Sequence, residues 1–138
     1  MSTRCQIGFY GEEGKLRDHI ALLYKHCDGY PEGVLVPLMP FLKNFFKMRK
    51  GDMEYAAART LQMFMNQHPK DYLGYGISSS LHWDIAYFYV VLPDKVSVYK
   101  VSFQNKPKRI GHILIEKGGN KKYVLSMARK LEAEGCTI

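Results

Sequence analysis

Apolar and polar residues alternate with period two over residues 4–10, where Cys5, Ile7 and Phe9 share one side and Arg4, Gln6 and Gly8 the other; this predicts a first strand. A turn rich in Gly and charge, 11–15, leads to a second expected strand over 16–26, in which Ile20, Leu22, Tyr24 and His26 fall on one face. Proline lacks the N–H of a helix interior, so Pro37 and Pro40 place the start of the next element, a helix, near residue 37. That helix is expected to run to 49 with Leu38, Leu42 and Phe45 on one face. Gly51 breaks it, and Asp52 is a suitable N-cap for a second helix reaching 66, with Met53, Ala57, Leu61 and Phe64 turned inward. Residues 67–81 contain two Gly, three consecutive Ser and a Pro, and read as a long loop. Strands are expected over 84–92 and 96–104, joined as an antiparallel hairpin through Pro93-Asp94-Lys95, followed by a basic turn at 105–109 and a fifth strand at 110–116. Asn120 is placed to cap a last helix ending at 134, with Gly135 at its C′ position.

The resulting order, ββααβββα with hairpin-length connections, predicts an α+β fold: a mostly antiparallel sheet of about five strands with helices packed on one face. At 138 residues and 46% hydrophobic content, the chain suffices for one domain, 1–138, with one substantial core. The longest apolar runs, such as 85–92, fall far short of the roughly 20 residues that span hydrocarbon, so no membrane partner is expected. The first residues lack the apolar core of a secretory signal, so a cytoplasmic location is expected. Three cysteines, Cys5, Cys27 and Cys136, form no Cys-x-x-Cys pair and fit reduced thiols better than a disulfide framework or a structural metal site. No cofactor is expected.

Net charge changes the picture more by its placement than by its total of +7. Residues 95–130 hold ten Lys and Arg against the single acid Glu116, while the rest of the chain carries ten basic and twelve acidic residues. A positive field confined to the carboxy-terminal part favours phosphate-bearing partners, whether a small nucleotide or nucleic acid, and otherwise serves as a solvated face.

Candidate chemistry concentrates in Tyr24-Lys25-His26-Cys27-Asp28-Gly29-Tyr30-Pro31-Glu32-Gly33, where a titratable imidazole, two carboxylates and two further tyrosines sit among residues that constrain the backbone. Two His-x-Asp triplets, His26-Cys27-Asp28 and His82-Trp83-Asp84, would each aim an imidazole and a carboxylate the same way on an extended chain. If they converge, His26, Asp28, His82 and Asp84 form a metal site or an acid–base pair for phosphoryl chemistry; if not, the carboxylates serve their own turns. Ten tyrosines and one tryptophan supply the competing idea of a stacking surface. Tyr24, Tyr30, Tyr72, Tyr75 and Trp83 fall at the turn and the long loop, and Lys106, Lys108 and Arg109 offer phosphate contacts. The expected ligand-binding set is therefore Tyr24, His26, Asp28, Tyr30, Glu32, Tyr75, His82, Trp83, Lys106, Lys108 and Arg109. Cys27 beside His26 has the ingredients of a nucleophile, although a merely structural thiol is the commoner use. Gly74-Tyr75-Gly76 lacks the setting of a dinucleotide fingerprint, and no phosphate-loop or zinc-finger spacing occurs.

The turn Tyr24 to Val34, the opening Ser2-Thr3-Arg4-Cys5-Gln6-Ile7, and Gly76-Ile77 with His82-x-Asp84-Ile85-x-Tyr87 resemble a family of small uncharacterised proteins encoded in bacterial, phage and prophage genomes. This chain carries Lys25 and Cys27 where that family usually has Arg and Ser or Trp. The resemblance implies a site around Tyr24 to Glu32 and a virus-associated setting. The expected function is a non-enzymatic protein that captures a small anionic, nucleotide-like ligand, as a phage protein would to sequester an immune nucleotide signal. Two alternatives stand beside it: a metal-assisted phosphodiesterase or nuclease built on the triplets, and a sequence-tolerant nucleic-acid binder. Self-association is compatible with all three.

Overall fold

The computed structural model describes residues 3–71, 73–82, 84–102 and 106–136. In chain order their elements are β1 (Cys5–Phe9), β2 (Ala21–Lys25), α1 (Pro31–Met48), α2 (Met53–Gln67), β3 (Tyr75–Ser78), β4 (Tyr87–Val91), β5 (Lys95–Lys100), β6 (Lys108–Leu114) and α3 (Lys121–Cys136). Short 3-10 turns cover Leu16–Asp18 and Ile115–Lys117. The strands form one mixed sheet in the order β3-β2-β1-β4-β5-β6. Four of its pairings are antiparallel, and β1 runs parallel to β4.

Alternation along the central strands divides the sheet into two buried faces. Cys5, Ile7 and Phe9 of β1 point with Tyr89 and Val91 of β4 into the main core, where all three helices pack; Leu22, Phe88 and Val90 point the other way with Tyr10. That second face is covered by Ile85, Leu92 and Val101, with Leu16 and Leu81 at its border. The expected α+β class and helices on one face hold in outline, with a sixth strand and a parallel pair as differences.

The main shifts from the expected boundaries have physical causes. Helix α1 begins six residues before the expected start, with Pro31 in its first turn after an extended Tyr30, and it runs on through Pro37 and Pro40. An interior proline costs about 3 kcal/mol. Against that, Leu35, Leu38, Met39 and Leu42 of the same helix are wholly buried, each contributing roughly 1.5–3 kcal/mol. Burial thus outweighs the missing donors. β3 lies inside the expected loop: its Gly and Ser content argued against a strand, but an edge strand needs a ladder on one side only, and Tyr75 stacks on Phe64 of α2. The expected second strand shortens to Ala21–Lys25, because 16–18 coil into the 3-10 turn. Lys108 and Arg109, expected in a turn, belong to β6 and pair with Lys100 and Tyr99. The expected extension of β5 through 103 and 104 and the turn residue 105 fall outside the described residues.

Asp52 and Asn120 cap α2 and α3 as expected, accepting the backbone N–H of Tyr55 and Tyr123. Gly135 is not a C′ residue. It lies within α3 and is buried against Tyr87, where a Cβ would stand 3.2 Å from the phenol oxygen. No helix of the described residues is long and apolar enough to cross a membrane.

One buried bond ties the sheet to the turn after β2. The Tyr89 hydroxyl, fully enclosed, donates to the Gly29 carbonyl at 2.7 Å. Tyr89→Phe should cost about 1–3 kcal/mol by leaving that carbonyl unpaired, read as a lower urea midpoint at unchanged m-value.

Candidate ligand-binding site

The last residue of β2 explains how the turn is built. Lys25 shares its face with Leu23, the helix side of the sheet, so an ammonium group enters the core where alternation calls for an apolar residue. It is only 4% exposed. Its Nζ donates to the carbonyls of Cys27 and Asp28 and lies over the rings of Phe64, at 5.5 Å, and Tyr75, at 5.7 Å. Burial holds its pKa below the usual lysine range.

Around Lys25 the chain reverses tightly. Asp28 takes a left-handed conformation, φ 56°, which aspartate tolerates better than most residues. The Gly29 N–H donates to the Thr3 carbonyl at 2.9 Å. A Cβ at Gly29 would sit 2.8 Å from that oxygen and from Cys5 Cβ, and one at Gly33 would sit 2.4 Å from the Asp28 carbonyl. Both glycines therefore allow close backbone approach. The charge of the nearby Asp28 carboxylate, more than burial, pushes the Tyr30 phenol upward. Glu32 locks the start of α1 to α3: its N–H donates to Glu132 Oε1 at 2.7 Å and its Oε1 accepts from Arg129 Nε at 3.1 Å.

Beyond this braced turn, α1 and α3 diverge to leave a cleft of about 720 Å³. Its floor is Val36, Pro37, Pro40, Val124 and Leu125; Tyr30, Glu32, Gln67, Lys121 and Arg129 supply the polar lining. At the end near the start of α3, a Cβ at Gly118 would lie 2.4 Å from the Met39 carbonyl, so the backbones meet there as closely as glycine permits.

The other expected site residues are divided among separate surfaces. Tyr24 and His26 lie on the far face of the sheet, joined by a 3.0 Å hydrogen bond between the phenol and Nδ1. His82 meets the Tyr24 ring edge-on at 6.2 Å. Buried Gln6 holds that neighbourhood together, donating to the Ser80 carbonyl and accepting from the His82 N–H. The two imidazoles thus flank one tyrosine, and of the two carboxylates only that of Asp84 lies near enough to act on its phenol. Asp84 itself pairs with Arg4 at 3.1 Å, and Asp28 belongs to the turn after β2. Among the described residues no group of three or more His, Cys, Asp and Glu is placed to hold a metal ion. Tyr75 faces the helix side, stacked between Phe64 and His68. Lys106, Lys108 and Arg109 are exposed at or before β6, four strand positions from β2 and roughly 19 Å away at ordinary strand spacing. Tyr72 and Trp83 fall outside the described residues.

Of the expected set, Tyr30 and Glu32 line the cleft; Lys25 of the turn and the cleft's Lys121, Arg129 and apolar floor were not in that set. Lys25 had a legible signal, a cation in the apolar register of β2. The cleft had none, because its walls come from residues about 90 apart. No protein-family model, no curated protein and no solved structure matches the chain.

Two outcomes follow from the turn. Lys25→Met should lose about 1–3 kcal/mol and speed amide exchange at Gly29, whereas Lys25→Arg, which keeps donors and a planar cation for the two rings, should stay within about 1 kcal/mol of the parent. Beside it, burial pushes the Cys5 thiol up to about 12. The unfolded thiol ionises first, so the unfolded state binds fewer protons above pH 9 and this contribution to stability is lost as pH rises toward 12. Cys5→Ala should flatten the alkaline loss of stability by about 1.4 kcal/mol per pH unit in that window, measured by urea titration at stepped pH.

Proposed function

We propose that the protein is a non-enzymatic binding protein for a small anionic, nucleotide-like ligand, held in the α1–α3 cleft next to the braced turn. The observation carrying this reading is the cleft itself: about 720 Å³, an apolar floor, and exposed Lys121 and Arg129 with half-exposed Tyr30 beside it. That volume lies within the range of small-molecule sites. Val36, Pro37, Pro40 and Leu125 suit a flat heterocycle, and the two cations suit a phosphate. Relative to the sequence expectation, Tyr30 and Glu32 remain in the site, while Lys121 and Arg129 take the part assigned to Lys106, Lys108 and Arg109.

Binding is favoured over phosphoryl chemistry by the Arg4–Asp84 ion pair, which engages one triplet carboxylate, and by the Glu32–Arg129 ion pair in the cleft. In the virus-associated setting suggested by the turn motif, capture without turnover would serve to sequester a nucleotide signal.

Heat denaturation of protein equilibrated with a nucleotide panel should release one member unchanged; release of a cleaved product would instead favour the enzyme reading. Leu125→Trp, which fills the cleft, and Lys121→Glu should each weaken binding by roughly tenfold or more in calorimetric titration. Binding untouched by Leu125→Trp would overturn the assignment of this cleft.

A further inference from the structure

The two edges of the sheet are built differently. β6 presents exposed Lys108 and Arg109, and its ladder with β5 is irregular between Val98 and Tyr99. Charges and bulges are the devices by which sheets keep an edge from accepting another strand. β3, at the opposite edge, has neither a charge nor a bulge, and its one protection is its length of four residues. Tyr75-Gly76-Ile77-Ser78 carries no charge and no proline, and it pairs with β2 in unbroken register. Ile77 is 78% exposed and Leu73, just before the strand, is 90% exposed.

We infer that β3 is a pairing edge whose occupant is a second copy of this chain, joined antiparallel about a two-fold axis at Ile77 so that the sheet runs through both copies. Charge selects the place. Copies with a net charge of +7 repel one another, but the described residues from 73 to 82 contain no Lys, Arg, Asp or Glu, so like surfaces meet there without ionic repulsion. Geometry selects the register. Residues directly opposite in an antiparallel pair must share a face, which puts the axis on a residue; the axis at exposed Ile77 sets Ile77 against Ile77, Gly76 against Ser78 and Tyr75 against Ser79. Away from the axis Tyr75 then faces a serine, and within the strand the one apolar pair lies on the axis. A self-complementary patch of this kind produces a closed dimer and stops there.

Sedimentation from about 1 µM to about 1 mM should show a monomer–dimer equilibrium. Ile77→Lys and Ile77→Glu should each move its midpoint roughly tenfold or more toward monomer, since like charges directly opposite are destabilising, and an equimolar mixture of the two should restore dimers. Because Ile77 is exposed, both variants should retain the parent's circular dichroism. In the unmodified chain, amide exchange over 76–78 should slow as concentration rises across the same range. A chain that is monomeric throughout, a dimer indifferent to Ile77→Lys, a mixture no more associated than its components, or exchange independent of concentration would overturn the inference.

Discussion

A buried cation bonded to main-chain carbonyls holds the centre of this structure. Lys25 leaves the sheet on its apolar side and satisfies two carbonyls of the turn that follows, while Phe64 and Tyr75 receive the charge on their faces. An unpaired ammonium in that position would be costly, and unpaired turn carbonyls nearly as much; together they are mutually satisfied. Tyr89 and Thr3 bind the next residue from two other directions. The turn is therefore a rigid corner, and the direction in which α1 leaves the sheet follows from it.

That direction decides the cleft. Helix α1 starts at the corner and is clamped to α3 by Glu32, Arg129 and Glu132, and further along its backbone lies close to Gly118. Between these fixed points, Val36, Pro37 and Pro40 do not fill the space opposite Val124 and Leu125. The two prolines that cost α1 its hydrogen bonds also give it short, stiff side chains along the cleft wall. A packing compromise and a concave surface are thus the same feature.

Much of the fold was legible. Alternation in β1, the apolar run of β4, the caps at Asp52 and Asn120, and the hairpin through residues 93–95 are local statements about neighbouring residues, and local physics decides them. The start of α1 was not legible, because the rule against interior proline is local while the burial that overrides it is tertiary. β3 was hidden for a related reason: a Gly- and Ser-containing segment becomes a strand only when β2 offers it a ladder. Of the cleft lining, Tyr30 and Glu32 stood out through the turn chemistry around them, whereas of the basic carboxy-terminal residues Lys106, Lys108 and Arg109, expected to bind, lie at the far edge of the sheet and Lys121 and Arg129 line the cleft.

By itself, the amino-acid order determined the class of fold, most of the elements, and the corner of Gly29, Pro31 and Gly33, because each depends on backbone freedom and side-chain period over a few residues. Only the tertiary structure decided that β1 lies parallel to β4, that Tyr24, His26 and His82 meet on one face while Asp28 turns away, and that Lys121 and Arg129 share a cleft with Tyr30. Those juxtapositions depend on how distant segments bury their apolar faces against one another, a cooperative choice that no short stretch of chain contains.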